Sequence, residues 1–174
     1  MRANRRKQPP FMTPRKWVWL GILVFVAVLI LLNQFYRYVQ GPVWKAERQA
    51  EEQAMKAADL KEADKAYKFV WDDTVWVVDG TNQNGEDVYV WLRPQGEPVT
   101  MKVNDGLSKA DMKRQFLQAK PDAKIKHMKI GMVGGMPVWE FYYTRKQASE
   151  TDTYYDFYRF ADGGFVVTYR LPKQ

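Results

Sequence analysis

From Trp17 to Leu32 the chain runs sixteen residues without a charged or polar side chain, a stretch that cannot belong to a soluble core. Carried through Asn33, Gln34, Phe35 and Tyr36 it reaches twenty residues. At ~1.5 Å of rise each, a helix of that length covers about 30 Å, the thickness of a bilayer's hydrocarbon layer. Trp17, Trp19, Tyr36 and Tyr38 stand at its ends, where amphipathic rings favour the headgroup level. Residues 17–38 are therefore expected to form an uncleaved transmembrane anchor. A signal peptide would carry a shorter apolar run and then small residues, whereas Asn33–Gln40 is bulky throughout.

Charge sets the orientation. Arg2, Arg5, Arg6, Lys7, Arg15 and Lys16 precede the span with no acidic residue among them. The positive-inside rule keeps such a tail, residues 1–16, in the cytoplasm and exports the remainder. The same six residues account for most of the formal net charge of +7; the rest of the chain has 21 basic against 20 acidic side chains, a net of +1. An exported part so nearly neutral argues against a nucleic-acid partner, and the basic tail reads as a topology signal. The chain has no cysteine, which excludes a lipoprotein anchor and disulfides.

After the span, Gly41-Pro42 is expected to break or bend the helix. Val43–Ala66, rich in Ala, Glu, Lys and Gln, reads as a helical stalk whose last turns dock on a sheet. Its stripe of Ala46, Ala50, Ala54 and Ala57 buries too little for a coiled-coil dimer to be favoured. Oligomeric state is otherwise open. From Lys68 the pattern turns to short aromatic and β-branched runs: Lys68–Trp71, Thr74–Asp79, Asp87–Leu92 and Val99–Val103. Gly80–Gly85 reads as a turn. Ser108, with Asp111 three residues on and Leu107 and Met112 flanking, marks a helix start; Met112, Phe116 and Leu117 form its apolar stripe and Lys120-Pro121 its end. Four more strands follow, Ile125–Met132, Val138–Thr144, Thr153–Phe160 and Phe165–Leu171, with Arg145–Asp152 as a polar loop. Each half thus reads helix, then four strands, and Val75-Trp76 matches Val138-Trp139 at a distance of 63 residues. The expected class is α+β, two tandem units after the anchor, residues 39–106 (with the stalk) and 107–174.

Catalytic chemistry is thinly supplied. His127 is the single histidine, placed among lysines as on an exposed edge, and has neither cysteine nor second histidine to share a metal. Of two serines, Ser108 is a cap and Ser149 lies in a loop, so no Ser/His/Asp arrangement can be assembled. Gly131, Gly134 and Gly135 are turn glycines rather than a phosphate cradle. Asp72-Asp73 reads as a turn. Glu140 and Asp156 stand among aromatics in strands, where a solvent-facing alternation explains them better than a tuned acid. No catalytic, metal or cofactor residue is assigned, and an enzyme is not expected.

The positive signal is aromatic: 26 Phe, Trp and Tyr. Alternation in Asp87–Leu92 sets Val88, Val90 and Leu92 on one face and Tyr89 and Trp91 on the other. These rings either pack between the two units or form an exposed patch for a protein or glycan. Trp71, Tyr89, Trp91 and Tyr142 are the partner-binding candidates.

Asp79-Gly80-Thr81, Gly85, Val88-Tyr89-Val90-Trp91, Gly106-Leu107-Ser108 and Val138-Trp139-Glu140, following a short anchor and an alanine-rich stalk, form a series that resembles the TseB (YpmB-like) family of cell wall elongation regulators of Gram-positive bacteria. The resemblance runs from the anchor to about Leu171. It implies two tandem cystatin-like, PepSY-related units outside the cell membrane and a role in wall synthesis through a class B penicillin-binding protein or another cell-envelope protein. It supplies no catalytic residue or cofactor. A second reading is a sensor or inhibitor-like module that binds wall glycan or an exported protease. A third, an exported hydrolase, would rest on Glu140 or Asp156.

Overall fold

The computed structural model describes residues 14–147 and 150–172. Arg2, Arg5, Arg6 and Lys7 of the basic tail, and Ser149, lie outside the described residues. The chain divides into two compact units, Met1–Lys45 and Ala46–Gln174. Helix α1 (Pro14–Ala57) crosses that boundary.

In the first unit α1 presents Trp17, Leu23, Phe25, Leu31 and Phe35 outward, and it is long and apolar enough to cross a membrane. Gly41-Pro42 does not interrupt it, contrary to the sequence expectation. Proline removes one N–H, the partner of the carbonyl four residues back, and an exposed helix tolerates that single loss. Beside it, Tyr36 and Trp44 meet edge to face at 5.8 Å.

The second unit holds two four-stranded antiparallel sheets. β1 (Leu60–Val70), β2 (Thr74–Asn82), β3 (Asp87–Leu92) and β4 (Val99–Lys102) pair in that order. A 3-10 turn at Val103–Asp105 leads to α2 (Lys109–Ala119), then β5 (Lys124–Val133), β6 (Met136–Gln147), β7 (Glu150–Arg159) and β8 (Phe165–Arg170), again in order. The first strand of each sheet ends at a valine, Val70 and Val133, and Val75 and Val138 fall in the second strand of each.

Three boundaries differ from the sequence reading. Leu60–Ala66 is strand, not helix. Asp59, in the left-handed region at φ 48°, stops α1, and β1 then pairs along β2 from Leu60↔Asn82 to Val70↔Thr74 with two bulges. Helix propensity is only a few tenths of a kcal/mol per residue, about 0–0.7, and the ladder outweighs it. Correspondingly Gly80, Thr81 and Asn82 belong to β2. The turn begins after Asn82, whose Oδ1 accepts from the amides of Asn84 and Glu86 at 2.9 and 3.0 Å. Arg145–Gln147 and Glu150–Asp152, expected as loop, extend the β6–β7 hairpin in register. Hairpin ends beyond the core need no apolar residues, so their polarity hid them.

Both faces of the first sheet are covered. Ala50 and Ala54 of α1 pack with Leu60, Ala66, Val78, Val88, Val90 and Leu92. The opposite face, with Phe69, Val75, Val77 and Trp91, joins a second core containing Met112 and Phe116 of α2 and Phe141, Tyr143, Phe157 and Phe160 of the second sheet. α2 begins as its sequence predicts, with Ser108 Oγ accepting from the Asp111 amide at 3.1 Å. Its Phe116 ring stacks on Phe141 at 4.1 Å.

Candidate interaction surface

The face of the second sheet turned away from α2 is set by strand alternation. Register places Tyr142 opposite His127 on one side and Tyr155 on the other, and Tyr155 opposite Tyr169. Trp71, from the β1–β2 turn, lies across this face at 5.1 Å from Tyr155, 4.6 Å from Phe157 and 5.1 Å from Tyr169. Tyr142 and Tyr155 are 4.7 Å apart and His127 and Tyr142 4.9 Å. The result is one half-exposed row, His127–Tyr142–Tyr155–Trp71–Tyr169, drawing a ring from each strand of the sheet and one from its neighbour. Tyr169 is 42% exposed. Offset rings at these spacings attract one another beyond their area burial, so the row is held in place by its own members.

Glu140 forms the floor beside it. Only 5% exposed, its Oε1 lies 2.8 Å from His127 Nε2. This corrects both expectations: Glu140 is not solvent-facing, and His127, though on edge strand β5, is partly covered and partnered. The Tyr155 phenol is pushed up first by burial, then by the Glu140 charge, so Tyr155 stays a neutral hydroxyl at physiological pH.

Asp156 is also buried rather than solvent-facing, but on the other side of the sheet. Its carboxylate has no exposure and accepts from Tyr143 Oη at 3.0 Å, Tyr158 Oη at 3.1 Å and Thr168 Oγ1 at 2.6 Å, with Lys120 Nζ completing the set. Lys120 follows α2, so this cluster ties the helix end to three strands. Burial first, and the Asp156 charge next, raise the Tyr143 and Tyr158 phenols well above the usual tyrosine range. Glu140 and Asp156 thus point to opposite faces and cannot act on one bond together. Among the described residues, no group of three His, Asp or Glu could hold a metal.

The four sequence candidates separate. Trp71 and Tyr142 come together through Tyr155. Trp91 has no exposure, and its Nε1 donates to the Gly131 carbonyl at 2.9 Å, so it is an interior residue between the sheets. Tyr89 is half-buried against Trp91 and Phe160 and lines a separate cleft of about 330 Å³ with Lys65, Tyr67, Lys68 and Lys129. Tyr155 and Tyr169 are not candidates from sequence, and His127 is read there only as an exposed edge residue without partners for a metal. Alternation could have put Tyr155 with Phe157, but only the register brings it against Tyr142.

Two comparisons with known proteins bear on the family resemblance in sequence, and a third bears on the fold. Residues 49–93, the end of α1 through β3, match the family described as "Cell wall elongation regulator TseB-like domain". "Probable cell wall elongation regulator TseB" of Bacillus subtilis (strain 168) is 24% identical over 137 residues, which is 78% of this chain and 85% of that protein. The solved structure of the "YpmB protein from Bacillus subtilis" superposes with a TM-score of 0.63 at 20% identity, over 71% of this chain and 96% of the other, and shows a shared fold. Residues 49–93 carry a TseB-like domain, and the resemblance of the chain to the TseB (YpmB-like) family holds in both sequence and fold.

Proposed function

We propose that this protein is a membrane-anchored, non-enzymatic regulator of cell wall elongation that works by docking on a peptidoglycan synthase, a class B penicillin-binding protein. The observation that carries the docking surface is the half-exposed ring row, with Trp71 and Tyr142 as anchors and Tyr155 and Tyr169 between and beside them. Aromatic side chains held rigidly on a sheet contribute large contact area at low entropic cost, the usual make-up of binding hot spots. The name of the Bacillus subtilis relative supports the wall role. Six basic residues ahead of the span, including Arg15 and Lys16, support an N-terminus inside the cell and a ring row outside it. The opposed directions of Glu140 and Asp156 support a role without catalysis.

Residues 39–106 and 107–174 are read as two cystatin-like, PepSY-related units, since each carries a helix followed by four antiparallel strands in simple order. The alternative, a module for wall glycan or an exported protease, uses the same rings, because a flat aromatic row also stacks on sugars. The test is a crosslinked pull-down of tagged full-length protein from its own membranes, stained with a fluorescent penicillin. A labelled band, retained when residues 17–38 are exchanged for an unrelated span, is expected. Absence of that band, together with pelleting of the protein by wall sacculi, would move the function to glycan.

A further inference from the structure

Three of the four sheet edges are guarded against adding a strand. β1 carries Lys61, Glu62, Asp64, Lys65 and Lys68, and β5 carries Lys124, Lys126, His127 and Lys129. β4 is only Val99–Lys102. Charge along an edge, or brevity, discourages pairing with another chain. β8 has neither guard: Phe165-Val166-Val167-Thr168-Tyr169-Arg170 has one charge, at its last position, and Phe165 is 56% exposed.

The direction of its free backbone groups follows from one bond. The Leu171 amide donates to the Thr153 carbonyl at 2.9 Å. Antiparallel pairing alternates, so Tyr169, opposite Tyr155, also turns its amide groups to β7, and Thr168 and Arg170 turn theirs outward. Beyond Val167 the next bonded position is Gly164, whose carbonyl accepts from the Arg159 amide at 2.8 Å; the bulge between them leaves Val166 and Phe165 turned away from β7.

We propose that β8 is a self-association edge, at which two copies pair β8 to β8, antiparallel, about a two-fold axis at Thr168. The strand complements itself in that register. Thr168 meets its own copy, Val166 meets Arg170 of the second copy, and Val167 meets Tyr169. Threonine pairs and β-branched–aromatic pairs are favourable across strands, and no like charges oppose. Moving the axis to Val167 sets Arg170 against Gly164, which offers no side chain; moving it to Tyr169 leaves three residues of β8 paired with each other. Arg170 is already positioned by Asp152, at 2.7 Å. The ring row ends at Tyr169 on this edge, so the pairing continues it onto the second copy on the same face, while the self-association stands independently of what the row binds.

The test is the mass of the full-length chain in detergent micelles, by light scattering over a range of concentrations. The native chain is expected to show a reversible dimer. Val166→Glu places a carboxylate opposite Arg170 twice per dimer and should tighten it by about threefold to tenfold; Val166→Lys should weaken it by about as much. A folding defect would move both variants the same way, so the opposite signs are the signature. A native chain and V166E that stay monomeric throughout, equal weakening by both variants, or a dimer that neither alters would each overturn the proposal.

Discussion

Asp156 has four partners and no exposure, and its role follows from what each partner would lose. Removing the carboxylate as Asp156→Ala leaves the Lys120 ammonium, from an element three strands away in sequence, without its counter-charge. Breaking a buried pair from one side costs about 3–5 kcal/mol, whereas Tyr158→Phe removes one donor and costs about 0.5–1.5 kcal/mol. Urea unfolding of residues 46–174 measures both, and equal losses would contradict the pair as the dominant part. A second residue-scale consequence concerns alkali. Burial raises the Tyr67, Tyr143 and Tyr158 phenols above the ordinary value of 10.0. Unfolding lets them ionise at that ordinary value, so the folded state holds protons the unfolded state has released. The stabilisation is full below pH 10, and it falls progressively from there until pH has risen through the raised values, with up to about three protons released per molecule unfolded. Unfolding midpoints between pH 9 and 11 check this; a flat profile would contradict it.

At the scale of elements, the sheets are joined by a glycine. A β-carbon on Gly131 would overlap the Phe69 ring, and Tyr67 Oη donates to the adjacent Ile130 carbonyl at 3.1 Å. Gly131→Ala should therefore destabilise by about 1–3 kcal/mol, with much of the loss recovered in the Gly131→Ala, Phe69→Leu double variant. Additive losses in thermal unfolding would show that the two do not touch. Gly131 also marks the limit of sequence reading. Its sequence context reads as a turn, because nothing local says that a ring from a strand 62 positions earlier fills its face. Ser108 and α2 were legible because capping is local chemistry. β3 was legible because its alternation is clean. Leu60–Ala66 was not, since alanine, glutamate and lysine speak for helix and the pairing with β2 that overrules them is long-range. Glu140 and Asp156 were misplaced for the same reason: a carboxylate is assigned to solvent until the register brings His127, or Lys120 and three hydroxyls, within reach.

At the scale of the whole molecule, an apolar helix fit to cross a membrane and a compact unit whose two sheets share one core leave the ring row as the organised aromatic surface. Trp71 and Tyr142 were legible as candidates from residue type alone, while the row itself exists only through register and through the β1–β2 turn that lays Trp71 across a neighbouring sheet. Hot-spot truncations typically cost at least about 2 kcal/mol each, more than tenfold in affinity. The most direct measurement is the fluorescent-penicillin pull-down repeated with Trp71→Ala plus Tyr142→Ala beside Tyr89→Ala, each confirmed folded by circular dichroism. The account predicts that the labelled band falls at least about tenfold for the first variant and persists for the second. An undiminished band with the folded double variant would contradict it.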